Sequence, residues 1–223
     1  MNLNWRWDFT WEILPQLLNA SLYTVLASGI GYAIAVILGL LLALAQRTEL
    51  TSARLLVRET IEFIRSTPLV LQIFFIFYVG PQFGVNLSPW VAGMMAIGLH
   101  YSAYLSEVYR GSIDAVSRGQ WEACRALNLS RRRTYFRIIL PQALVPAIPG
   151  MGNYLVGILK DTPMLSVIGV AELMHAASAI GSANYRYLEP FTIVGLLFLL
   201  ISLPLAGLVR IMEQRLRIRL GIW

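Results

Sequence analysis

Uncharged stretches of membrane-spanning length, separated by short charged ones, set the plan of this chain. No Asp, Glu, Lys or Arg occurs in the 34 residues from Ile13 to Gln46, the 41 from Ser66 to Ser106, or the 20 from Pro190 to Val209. About 20 apolar residues in helix cross a bilayer. The first run therefore predicts one span, at about 20–44. The second is too long for one span and fits two with a break, which Gly80-Pro81 and Asn86-Leu87-Ser88-Pro89 supply. Its spans fall at about 55–78 and 90–105. An amphipathic stretch at 46–65, with Arg54, Arg58 and Glu62 at helical spacing, leads into the first of them. Further spans are expected at about 138–159 and 190–209. The expected fold is all-α and integral to the membrane: five spans in one domain over 1–223.

Polar and helix-breaking residues mark where these spans depart from plain lipid-facing rods. Trp5, Trp7, Phe9 and Trp11 interleave with Arg6, Asp8 and Glu12, the pattern of an interfacial anchor. Ala43-Leu44-Ala45 mimics a signal-peptidase site. The apolar run before it is too long for a signal peptide and lacks a basic lead, so the span is expected to be retained. Pro68 either kinks the second span or starts it. The carbonyl it frees needs a partner, and Ser66 or Thr67 is within reach. His100, Tyr101, Ser102 and Tyr104 put a polar cluster inside the third span, either lining a pathway or bonding a neighbouring helix. The fourth span holds Pro141, Pro146, Pro149, Gly150 and Gly152, with Asn153 inside it, so a broken helix facing a pathway is expected. Residues 164–176 are too short to span and fit a short helix at the outer face, with a loop at 178–187.

Charge gives an orientation. With five spans, residues 46–65, 107–137 and the C-terminus share one side and hold 15 of the 18 basic residues. The other side has Arg6, Lys160 and Arg186. Cytoplasmic loops carry the Lys/Arg excess, so the N-terminus is expected outside and the C-terminus in the cytoplasm. Some enzyme chemistry is excluded by the same inspection. The single cysteine, Cys124, rules out an internal disulfide, and His100 and His175 make no metal motif. The only lysine, Lys160, precedes Asp161 and fits no phosphate-cradling P-loop. Ser102 and His175 lie toward opposite parts of the chain and suggest no intramembrane hydrolase.

The most charged stretch, 117–141, joins the third and fourth spans. Seven arginines lie between Arg110 and Arg137. Ser117 and Gln120 read as a capping box that starts a helix near Arg118. Trp121, Cys124 and Leu127, with Ala123, then fall on one side. Asn128 can take the left-handed conformation that closes a helix, and Ser130 can cap the next. Such a helix, with no core of its own, needs a protein partner or the lipid surface over its apolar side. Glu122, Ala123, Cys124, Asn128, Ile138, Leu140 and Pro141 together resemble the EAA loop of ABC importer permeases. That pattern is Glu-Ala-Ala, three residues, Gly, nine residues, Ile-x-Leu-Pro. Cys124 and Asn128 replace an Ala and the Gly, both mild changes.

Three further segments resemble the polar amino-acid uptake branch of that family: Arg65-Ser66-Thr67-Pro68-Leu69, Glu107-Val108-Tyr109-Arg110-Gly111, and Lys160-Asp161-Thr162-Pro163, where Pro163 replaces a Ser. The resemblance implies a type-1 permease domain with a short cytoplasmic coupling helix between spans three and four. It implies docking of an ATPase dimer on Gly119, Gln120, Trp121, Glu122, Ala123, Cys124 and Asn128. ATP and Mg would be bound by that partner, with no cofactor in this chain. A second permease subunit and an extracytoplasmic solute-binding protein are implied too, in a bacterial inner membrane. His100, Tyr101, Asn153 and Asp161 are the candidate pathway residues. Amino acids, opines and osmolytes such as ectoine all suit the resemblance. A membrane scaffold or sensor subunit that transports nothing is the alternative.

Overall fold

The computed structural model describes residues 4–220, and every regular element among them is helical. The first uncharged run is one 39-residue helix, α1 (Trp7–Ala45). It begins well before the expected 20–44. Its first turns are held by packing: Phe9, Ile13 and Leu17 are buried with Leu173, Ile193 and Val194 from distant sequence. Trp7 and Trp11, each 65 % exposed, stay on the outer surface, where an interfacial anchor belongs.

The expected span at 55–78 is not one helix. α2 (Thr51–Ser66) stops at Ser66, Thr67 and Pro68 are extended, and α3 (Leu69–Phe74) starts anew. The segments Thr51–Ser66 and Leu69–Phe83 meet at 106°. Pro68 therefore starts a helix, as the residue before a proline resists the α conformation. The carbonyls left free at the end of α2 are met from the side. Thr67 Oγ1 donates to Phe63 O at 3.1 Å, and Gln72 Nε2 donates to Ile64 O at 2.8 Å. α3 runs on through a π turn (Phe75–Val79) and a 3₁₀ turn (Gly80–Phe83), where Gly80-Pro81 gives the expected break.

α4 (Pro89–Asp114) forms the centre of the bundle. Ala92, Ala96, Ile97, Ala103 and Leu105 are fully buried. Its neighbours approach closely at small residues. A Cβ at Gly31 would lie 2.7 Å from Ile97, and one at Gly39 would lie 2.9 Å from Leu105, so α1 and α4 run parallel. Gly93 meets Leu165, Gly157 meets Tyr101 and Gly150 meets Val108. α4 and the helix carrying residues 150–165 are therefore antiparallel. Small residues at such crossings let helices pack without a hydrophobic driving force.

After α5 (Arg118–Ala126), the single turn α6 (Arg131–Arg133) and a π turn (Thr134–Ile139) lead into α7 (Leu140–Asp161). The expected break in the fourth span is absent: α7 carries Pro146 and Pro149 inside an unbroken helix. Irregularity falls at its ends instead. A wider π turn lies just ahead of Pro141, and a 3₁₀ helix (Thr162–Ile168) with Pro163 in its first turn follows. Gly169, at φ 79°, ends that segment in the left-handed conformation. The helix expected at 164–176 starts later, as α8 (Leu173–Asn184), and most of the loop expected at 178–187 is helical. α9 (Leu188–Leu220) contains the fifth expected span.

By length and hydropathy, three helices can cross a membrane, Trp7–Ala45, Arg131–Ile168 and Leu188–Leu216, and a fourth if the bent pair counts as one. α4 is less apolar because it carries His100, Tyr101, Ser102 and Tyr104. Its neighbours pack closely around it, and its serine hydroxyls bond within the helix: Ser102 Oγ to Leu99 O and Ser106 Oγ to Ala103 O, both at 2.7 Å.

Candidate functional site

The polar residues of α4 meet partners from α3 and α7. Tyr101 Oη donates to Asp161 Oδ2 at 2.6 Å. His100 Nδ1 lies 3.2 Å from Gln72 Oε1. The Gln72 amide group faces three acceptors, Ile64 O, Thr67 O and Thr67 Oγ1, so its carbonyl oxygen must face His100. His100 therefore carries its proton on Nδ1. Tyr104 and Tyr154 complete the cluster, with Tyr154 centred 6.0 Å from Tyr101 and 5.6 Å from Tyr104. The Arg65 guanidinium stacks over the Tyr104 ring at 5.4 Å. A chain of contacts thus runs from the Asp161 carboxylate through Tyr101 and Tyr104 to the Arg65 guanidinium. Aromatic faces attract cations, and guanidinium pairs with carboxylates.

Of the four expected pathway residues, three come together: His100, Tyr101 and Asp161. Asn153 does not. It opens on a separate groove of about 350 Å³ between α7 and α9, with Lys160 and Arg210. Sequence reasoning missed Gln72 and Tyr154. Gln72 is the only amide in an otherwise apolar helix, and Tyr154 lies two helical turns before Asp161. Both signals were available.

α5 starts at Arg118 with Ser117 ahead of it, but the expected capping box is not formed: no side chain caps this end. The C-terminal end closes as expected. Asn128 sits at φ 49°. Asn128 N–H donates to Arg125 O at 2.9 Å and Leu129 N–H to Cys124 O at 3.0 Å, the Schellman arrangement. Ser130 precedes the next turn, again without a side-chain cap. The helix also has more support from its own chain than expected. Trp121 packs edge-on to Tyr135 with ring centres 5.4 Å apart and joins Ile113, Ile139 and Leu140. Cys124 is buried and offers a partner no surface. Gly119, Gln120, Glu122, Ala123 and Asn128 are exposed, and Leu127 is 71 % exposed. Gln120 Oε1 accepts from Gln142 Nε2 at 3.3 Å.

On the opposite side of the bundle, Glu172 is fully buried and caps α8, accepting from His175 N–H at 2.7 Å and Met174 N–H at 2.9 Å. Thr24 Oγ1 of α1 accepts the Leu173 N–H at 3.0 Å. Burial pushes the Glu172 carboxyl up to about 7, against the two backbone donors that favour its charge. Among the described residues no group of His, Cys, Asp and Glu could hold a metal ion.

Comparison with known proteins agrees with this architecture. The profile of the family described as binding-protein-dependent transport system inner membrane component matches residues 9–218. A probable amino-acid ABC transporter permease of Sinorhizobium fredii is 40 % identical over 221 residues, covering 94 % of this chain and 96 % of the relative. The glutamine transport system permease protein GlnP of Escherichia coli is 34 % identical, covering 97 % and 100 %. The L-cystine transport system permease protein TcyB of Bacillus subtilis is 35 % identical, covering 94 % and 91 %. A crystal structure of an amino acid ABC transporter with histidines superposes at a TM-score of 0.87, with 31 % identity over 96 % of this chain and all of that one. The chain belongs to the family of binding-protein-dependent transport system inner membrane components and is a permease of the ABC transporter kind.

Proposed function

We propose that this chain is one of two permease subunits of an ABC importer for a polar amino acid or a similar zwitterion. Its five spans are α1, the bent α2–α3 pair, α4, the Arg131–Ile168 helix and α9. The N-terminus lies outside a bacterial inner membrane and the C-terminus in the cytoplasm. The parallel packing of α1 on α4, the antiparallel packing of α4 on α7 and the basic excess on one side support that order. A second copy or a paralogue completes the pathway. A solute-binding protein delivers the solute outside, and an ATPase dimer, which holds ATP and Mg, docks on α5 inside.

The observation that carries the reading is the Tyr101–Asp161 hydrogen bond within an aromatic cluster that ends at Arg65. A zwitterion needs a carboxylate for its ammonium and a guanidinium for its carboxylate, and here the two stand at the ends of one chain of tyrosine contacts. The glutamine and cystine permeases among its relatives act on solutes of that class. Coupling follows from the contacts of α5. Gly119, Gln120, Glu122 and Ala123 face outward to the ATPase, while Trp121 grips Tyr135 at the root of α7. Closure of the ATPase dimer then moves α7, and Asp161 with it, against Tyr101 on α4.

The test is uptake of labelled amino acids by proteoliposomes holding the whole transporter and its binding protein. Asp161→Asn should cut uptake at least tenfold while the complex still assembles. Normal uptake by that variant would refute the assigned site. Assembly and ATP hydrolysis with no uptake of any solute by the wild type would favour the scaffold reading.

A further inference from the structure

A groove of about 810 Å³ opens where the ends of α1 and α4 meet α2, beside Tyr135. Five of its lining residues are arginines and three are carboxylates. The carboxylates answer three of the arginines: Glu107 pairs with Arg110 at 2.6 Å, Glu62 with Arg65 at 3.5 Å, and Asp114 with Arg47. The guanidinium groups of Arg54 and Arg58, one helical turn apart on α2, have no partner among the described residues. The surplus of two positive charges is therefore local to one helix face. A third donor is also unused, because Arg47 Nε is buried with nothing to bond. Beside the two arginines, Leu55 lines the same groove and is 56 % exposed.

We propose that this groove binds the phosphate of an anionic phospholipid. Arg54 and Arg58 hold the phosphate, and an acyl chain lies over Leu55. The level is right for a headgroup, since the groove is lined by Gln46 and Arg47, just past the end of α1, and by the last turns of α4. A guanidinium pair suits phosphate oxygens, which accept two parallel N–H bonds. The apolar flank separates this ligand from a free phosphate, which has no use for it. The proposal requires only that the helices lie in a bilayer, not that the chain moves any particular solute.

The test is binding of spin-labelled phosphatidylglycerol to the whole transporter in phosphatidylcholine nanodiscs. An R54Q/R58Q variant should bind it about 30-fold more weakly, the value for two arginines at a charged lipid surface. Both replacements favour helix, so α2 should persist, and R54K/R58K should bind between wild type and R54Q/R58Q, because it keeps the charge but not the paired N–H bonds. Phosphatidylcholine association should not change in either variant. Unchanged phosphatidylglycerol binding in R54Q/R58Q would overturn the proposal. So would displacement of the lipid by millimolar inorganic phosphate, which would mark a free-anion site.

Discussion

Leu129 donates its backbone N–H to the carbonyl of Cys124 at 3.0 Å, six residues closing on the first across Asn128. That bond forms only while Asn128 stays left-handed, at φ 49°. Asn tolerates this conformation because its short side chain bonds locally; a β-branched residue does not. Asn128→Val should cost roughly 1–2 kcal/mol, tilt α5 and weaken capture of the ATPase. Asn128→Gly should leave both intact. Co-purification of the ATPase, with thermal unfolding beside it, checks this. Wild-type behaviour of the Val variant would show that the turn does not set the position of α5.

The crossing of α1 and α4 gives a second prediction. A Cβ placed on Gly98 would overlap Ile34 Cγ2 and sit 2.7 Å from Ile34 Cβ. Ile34 cannot swing clear, because its branch point is fixed to the backbone. Gly98→Ala should therefore push the helices apart and cost about 1–3 kcal/mol. Adding Ile34→Ala removes the Cγ2 overlap but not the Cβ contact, so recovery should be partial. At Gly195 an added Cβ meets nothing within 4 Å, and Gly195→Ala should be neutral or stabilising. Equal melting temperatures for Gly98→Ala and Gly195→Ala would contradict the close approach.

These two cases also show what a linear sequence can and cannot carry. Asn128 was legible because a left-handed cap is a local property of one residue after one short helix. His100 and Tyr101 were legible as polar groups in an apolar run, since burial at depth makes such residues costly. Their partners were not. Asp161 lies 60 residues from Tyr101 and Gln72 lies 28 from His100, and only the antiparallel and bent packing brings them together. The prolines of α7 misled because proline weighs on a helix locally, whereas a packed bundle and a π turn ahead of Pro141 can absorb it. The start of α8 was misplaced because Glu is not a usual cap. Burial under α1 made it one.

Gln72 is the residue on which the bend between α2 and α3 depends. Its amide serves Ile64 O, Thr67 O and Thr67 Oγ1, and its carbonyl serves His100. Gln72→Leu keeps the volume and removes all four bonds. The freed groups are partly buried, and each one left unsatisfied costs up to about 1–3 kcal/mol. Gln72→Leu should lower the melting temperature clearly more than Thr67→Val, which spares the bonds to Ile64 and His100. Similar melting of Gln72→Leu and wild type in lipid would mean that the end of α2 is satisfied by other donors.

Glu172 makes stability depend on pH in a direction opposite to the usual carboxylate. Burial raises its pKa from 4.5 to about 7, so the fold holds a proton there that the unfolded chain has already lost. The contribution is fully present below pH 4.5 and declines as the pH rises through about 7, where the charged form becomes a burden of up to roughly 3 kcal/mol. Glu172→Gln keeps an oxygen to accept from Met174 and His175 but never ionises. Its advantage over wild type in thermal unfolding should be small at pH 5 and grow toward pH 8. Glu172→Ala loses the cap as well, at about 1 kcal/mol, and should unfold earlier than Glu172→Gln at every pH. A constant offset between Glu172→Gln and wild type from pH 5 to 8 would show that the buried carboxyl does not titrate there, and that Glu172 serves α8 by its hydrogen bonds alone.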